Sequence, residues 1–184
     1  MANKIITVTS GHSTSDSGAV SKTGVKEADL AVKLRNAIVH YLQKYKDVHV
    51  RLDGYGTTNL PLSEAIKLIA GSDVAVEIHL NASANEQANG VETISQPKDK
   101  ALAQELSFVV AKVLGSKVRG TKGWISESDS ARGRLGYIQK GGLILEVCFI
   151  SNEKELKAFE DKFWLVAKEV ANVLLKYVGV EVNE

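Results

Sequence analysis

The stretch Leu143-Ile144-Leu145-Glu146-Val147-Cys148-Phe149-Ile150 is apolar on both of its alternating faces, apart from one carboxylate. A strand of this kind has no side to show to water, so it belongs inside a sheet that is covered on both faces. Residues 4–9 and 74–80 also read as strands, the second of them buried. Between them lies a helical pattern over about 26–45, with Leu30, Leu34, Ile38, Tyr41, Leu42 and Tyr45 at steps of three and four. Val48, Val50 and Leu52 alternate, and residues 62–69 suggest a short helix closed by Gly71. The Asn89-Gly90 turn signal precedes a strand at 91–95, and Pro97 opens a helix that runs to about Leu114. Residues 115–142 are the least regular. Asn152, with Glu155 three residues on, looks like an N-cap with its capping-box partner, heading a last helix to about Tyr177 that breaks near Glu160. Strands alternating with helices predict an α/β fold, one domain whose central sheet carries helices on both faces.

Composition narrows the function classes. A chain of 184 residues buries about 70% of its extended surface and needs no cross-link for stability. Lys and Arg number 23 against 22 Asp and Glu, so overall charge gives no case for nucleic acid. The single cysteine excludes an internal disulfide. No apolar run approaches the roughly 20 residues that span a bilayer, which argues against membrane insertion. Residues 1–9 read as a strand, not as a signal peptide, so the expectation is a product made in the cytoplasm.

Chemistry concentrates in four places. His12 follows a strand in Ser10-Gly11-His12, and His79 ends a strand in Glu77-Ile78-His79-Leu80-Asn81. Glu27 stands at a helix start, and Glu146 interrupts the last apolar run. Two imidazoles and two carboxylates make the inventory of a hydrolytic zinc site, which needs three protein ligands and one open position. Each residue also has a plain reading. His12 alone is a loop histidine, and His79 alone is a satisfied core histidine. With Gly24 as N-cap, Glu27 is an N3 carboxylate answering the helix dipole. Glu146 is the sharpest signal: buried and charged without a partner it costs several kcal/mol. Its raised pKa would suit a general base and acid, and the competing reading is a buried ion pair. Glu77 shares the face of His79 and either orients a ligand or closes the strand. Cys148, two residues beyond Glu146, is expected on the same face as a small buried hydrophobe.

The motifs together resemble the zinc-dependent N-acetylmuramoyl-L-alanine amidases of the Amidase_3 family. The resemblance is carried by Gly11-His12, Asp16-Ser17-Gly18-Ala19, Glu27, Ile78-His79-Leu80-Asn81-Ala82, Gly90-Val91-Glu92, Arg119-Gly120-Thr121-Lys122 and Glu146-Val147-Cys148-Phe149-Ile150-Ser151-Asn152. Each is weak alone; in this order they are specific. Two departures stand out: Thr9-Ser10 where the family has Asp-Pro, and Ala65 where an arginine is common. The resemblance implies a mixed, mostly parallel sheet, with a catalytic domain at 1–178 and a tail at 179–184. It implies Zn2+ held by His12, Glu27 and His79, with Glu146 as the catalytic carboxylate.

The implied substrate is peptidoglycan, cut at the amide between N-acetylmuramic acid and L-alanine by a monomer. Substrate contacts are expected from Asn81, Arg132 and Arg134, although the basic residues read equally as a solvated surface. A phage or prophage endolysin that reaches the wall after release is the expected setting. A zinc peptidase acting within the stem peptide and a non-catalytic wall-binding relative are the alternatives.

Overall fold

A computed structural model describes residues 3–130 and 133–182. The strands are β1 (Lys4–Ser10), β2 (Val48–Leu52), β3 (Val74–Asn81), β4 (Glu92–Ser95), β5 (Trp124–Ser126) and β6 (Leu143–Phe149). The helices are α1 (Glu27–Leu42), α2 (Leu62–Ala65), α3 (Lys100–Leu114), α4 (Gly136–Gln139), α5 (Glu153–Asp161) and α6 (Phe163–Tyr177). The strands form one sheet in the order β2-β1-β3-β6-β4-β5. All neighbours run parallel except β4 against β6. This is the single-domain, mixed and mostly parallel α/β architecture that the sequence predicts.

β3 and β6 lie at the centre and are buried over nearly their whole length, as their unbroken apolar runs demand. The larger core lies between the sheet and α1, α3 and α6 and holds Ile6, Leu34, Ile78, Leu106, Leu145 and Leu174. Fully burying one such side chain contributes about 1.5–3 kcal/mol. The opposite face carries a smaller core, where Ala65, Tyr137 and Ile138 cover Ala75, Ile94 and Ile144. Val180 and Val182, beyond α6, pack against the larger core.

Several local expectations are corrected. α1 ends at Leu42, because the chain turns through Tyr45 to enter β2 at Val48. Its N-cap is Lys26, not Gly24, and Glu27 is the first helical residue. Gly24 instead takes φ +86 in the preceding turn. α2 continues as a 3-10 turn over Ile66–Ile69. Asn152 does cap α5, accepting from the amides of Lys154 and Glu155. Glu155, however, does not reach back to the cap. It is buried and accepts the amides of Gly90 and Phe149, each at 2.7 Å, so it ties β6 to the loop before β4. The last helix breaks at Lys162, between α5 and α6.

The position of Cys148 is also corrected. The pairing of β3 with β6 slips between His79↔Glu146 and Asn81↔Phe149, where β6 spends three residues against two. This irregularity cancels the alternation, and Cys148 joins Val147 in the larger core instead of facing the way of Glu146.

Candidate metal centre and its cleft

In open α/β sheets ligands gather beyond the carboxyl ends of the strands, where the chain reverses its direction of winding. Here β2 lies on one side of β1 and β3 on the other, so that point falls between β1 and β3. His12 follows the end of β1 and His79 stands near the end of β3. Glu27 reaches them from the first turn of α1.

The Glu27 carboxylate sits between the two rings. Its Oε2 is 3.0 Å from His12 Nε2, and its Oε1 is 3.0 Å from His79 Nδ1. Both oxygens also accept backbone amides, Oε1 from Leu80 and Oε2 from Ala19. Each ring has a further carboxylate on its far side: Asp16 Oδ2 lies 3.0 Å from His12 Nδ1, and Glu77 Oε2 lies 3.6 Å from His79 Nε2. Three ligand atoms, one each from His12, Glu27 and His79, lie within 4.8 Å of one another.

Whether these residues suit a metal can be asked of the atoms themselves. His12 Nε2 is buried and makes no hydrogen bond among the described residues, although it lies 3.0 Å from Glu27. The contact is therefore one of charge, with the ring nitrogen aimed off the carboxylate oxygen. Two glycines leave room for the rings. A Cβ on Gly11 would lie 2.2–2.5 Å from three atoms of the His79 ring, and one on Gly18 would lie 2.5 Å from His12. Two nitrogens and a carboxylate oxygen match the ligand preferences of Zn2+. The set fits a divalent ion.

The electrostatics follow from the same contacts. Burial opposes a charged His79, yet hydrogen bonding to Glu27 and Glu77 and the charge of Glu146 raise it to about 10. Glu27, followed by Asp16, raises His12 against the effect of burial. Burial pushes Glu27 upward, but the two imidazoles hold it well below the usual carboxylate range. Without metal, the neighbouring carboxylates favour the protonated form of both rings.

Glu146 is the Cα partner of His79 across β3–β6 and of Glu92 across β6–β4, and is 1% exposed. A cleft of ≈ 350 Å³ opens beside the histidines. Ser10, His12, Asp16, Glu77 and His79 form its polar wall; Pro61, Leu62, Leu135, Tyr137 and Ile144 form the apolar one. Glu27 and Glu146 are not part of its lining.

A family model described as N-acetylmuramoyl-L-alanine amidase, Amidase_3, matches residues 6–176. The chain belongs to the Amidase_3 family. It is a peptidoglycan amidase and acts on the cell wall. Among solved structures, an N-acetylmuramoyl-L-alanine amidase from Neisseria meningitidis is 42% identical, with a TM-score of 0.89 and 97% of each chain covered. The catalytic domain of CwlV from Bacillus (Paenibacillus) polymyxa is 26% identical, with a TM-score of 0.83, 97% of this chain and 99% of that one covered. The catalytic domain of the CD27L endolysin targeting Clostridia difficile shares the fold at 20% identity and a TM-score of 0.63, over 98% of this chain and 100% of that one. No curated protein matches the sequence. No helix among the described residues is long and apolar enough to cross a membrane.

The other residues expected at the Amidase_3 site are placed as follows. Asn81 spends its amide on protein: Nδ2 donates to Glu92 Oε1 at 3.1 Å, and Oδ1 accepts the Ala82 amide. Arg134 is exposed one residue before Leu135 of the cleft. Arg132 lies outside the described residues. Asp16 belongs to the Asp16-Ser17-Gly18-Ala19 motif, and its four-residue spacing from His12 is the one sequence signal for its place against that ring. Arg35, Asp53 and Asn59, which support the His12 segment, carried no signal, since nothing in a loop's composition says which carbonyls its asparagine will meet.

Proposed function

We propose that this Amidase_3 protein is a zinc-dependent hydrolase of the amide between the lactyl group of N-acetylmuramic acid and L-alanine. His12, Glu27 and His79 hold the metal, and Glu146 is the general base and acid. The observation that carries the reading is the gathering of the three ligand atoms within 4.8 Å beside the His79↔Glu146 pairing. A zinc ion bound there supplies Lewis acidity, polarising the scissile carbonyl and making water acidic near neutrality. Asp16 and Glu77 fix the orientation of the two rings from behind. Glu146 removes the proton from the attacking water and returns it to the departing α-amine as the C–N bond breaks. Its burial keeps that proton out of exchange with bulk solvent. The apolar wall at Pro61, Leu62 and Leu135 offers contact for the methyl groups of the lactyl and alanyl units. Arg134, with Arg132, provides polar contacts to the stem peptide, whereas Asn81 braces Glu92.

Purified sacculi digested with and without a chelator test this reading. The expected products are free glycan strands and intact stem peptides, lost on chelation and restored by Zn2+. Peptides cut internally would point to the peptidase alternative, and no release at all to a wall-binding relative. We infer an endolysin role as the biological setting, supported by the fold shared with an endolysin catalytic domain. Cytoplasmic expression should leave cells intact until a membrane-permeabilising agent is added, and then lyse them.

A further inference from the structure

Asn59 lies in the loop between β2 and α2, 7% exposed and outside the lining of the cleft. Its Nδ2 donates to the carbonyl of His12 at 2.6 Å and is 3.4 Å from that of Gly11 and 3.5 Å from that of Ser10. Three successive carbonyls of the segment carrying the first imidazole converge on one amide. His12 needs such a hold, because its φ is +66. A side chain with a Cβ is strained there, and such a conformation persists only where the surroundings over-determine it.

The hold is itself braced. Arg35 and Asp53 form an ion pair at 2.8 Å with both side chains fully buried. The Asp53 carboxylate accepts the Ser10 amide at 3.2 and 3.3 Å, which fixes the start of the His12 segment. Arg35 Nη2 donates to the Thr58 carbonyl at 3.0 Å, and the Leu60 amide donates to the Asp53 carbonyl at 2.6 Å. Asn59 is thus pinned on both sides to the same pair that pins Ser10.

We propose that Asn59 is a positioning residue for His12, and that the buried Arg35–Asp53 pair holds Asn59 and Ser10 in one fixed relation. The inference rests on the reading of His12 as a metal ligand. Asn59 touches no reacting atom; it acts by presenting one imidazole to the ion.

The test measures Zn2+ affinity of the full chain by competition with a chromogenic chelator. Asn59→Leu keeps the approximate size and removes the donor; its affinity should fall roughly 10- to 100-fold. Asn59→Asp keeps the shape, sets an acceptor against three carbonyls, and should fall at least as far. It also serves if the leucine variant does not fold. In a His12→Ala background, Asn59→Leu should cost nothing further, whereas in a His79→Ala background its full effect should persist. A merely structural role would lower affinity equally in both backgrounds. The double change Arg35→Met/Asp53→Leu removes both buried charges together, should still fold, and should weaken Zn2+ by a similar factor. Wild-type affinity in both Asn59 variants, or equal losses in the two alanine backgrounds, overturns the proposal. A wild-type chain that takes up no Zn2+ overturns the metal reading itself, a result distinct from either.

Discussion

The rings of His12 and His79 meet edge to face, with centroids 5.1 Å apart and planes crossing at 72°. Sixty-six intervening residues separate them in the chain; the pairing of β1 with β3 sets them side by side, and the Glu27 carboxylate lies 3.0 Å from a nitrogen of each. The arrangement gives tests of geometry as well as of chemistry.

Glu146→Gln keeps the size of the side chain and removes its ability to accept a proton. Turnover on peptidoglycan should fall by roughly 10²- to 10⁴-fold, the usual contribution of a positioned acid and base. Zn2+ affinity should change little, because Glu146 is not among the three ligand residues. Unchanged turnover with metal bound would remove Glu146 from the mechanism.

The metal-free protein should show a definite stability profile with pH. His79 is raised to about 10 from the 6.5 of a free imidazole, so its contribution is complete below 6.5 and is lost as pH rises through about 10. Glu27 is displaced downward, so its contribution is present above 4.5 and is lost as pH falls through its depressed value. Urea midpoints of chelator-treated protein should therefore be highest between these limits and decline steadily on the alkaline side. Saturating Zn2+ takes the place of the proton on His79 and should abolish that decline. A flat alkaline limb without metal would mean that the imidazoles are not held as cations.

Gly11→Ala tests the space behind His79. The added methyl would meet the ring at 2.2–2.5 Å, and the ring must move because 6% exposure leaves it little freedom. Overpacking of this kind costs about 1–3 kcal/mol of stability. A ring displaced by even 1 Å should lose roughly 10²-fold in turnover. Calorimetry and a sacculus assay on the same preparation would detect both effects, and wild-type behaviour in both would show that the pocket is looser than described.

The thiol of Cys148 should be inert in the folded protein. Burial, reinforced by the charges of Glu155 and Glu146, pushes it well above the ordinary thiol range, and none of it is exposed. Labelling by a disulfide reagent should then track global unfolding, with a rate that rises in urea in step with loss of circular dichroism. Rapid labelling in buffer alone would contradict the placement in the core.

The fold was legible because its central strands are apolar on both faces; residues 74–80 and 143–150 could hardly lie anywhere but inside a covered sheet. Glu146 was legible for the converse reason, as the one group in its run with no apolar explanation. The convergence of His12 and Glu27 on His79 came only from family motifs, since no spacing connects residues joined by the sheet's topology. The slip that turns Cys148 inward escaped detection because a strict period of two has no room for an extra residue. Asn59 escaped it because its partners are backbone atoms, which every residue possesses alike.

The strand that bears Glu146 is the last of the six to leave the ribosome, yet it takes a place in the interior of the sheet, between β3 and β4. Until it has emerged, β3 lacks one neighbour, and β4 with β5 has nothing to join. A nascent or prematurely terminated chain that stops short of β6 is therefore two unconnected fragments of sheet, and it lacks Glu146. The two halves of the sheet are joined only when β6 arrives, after every other strand has been made.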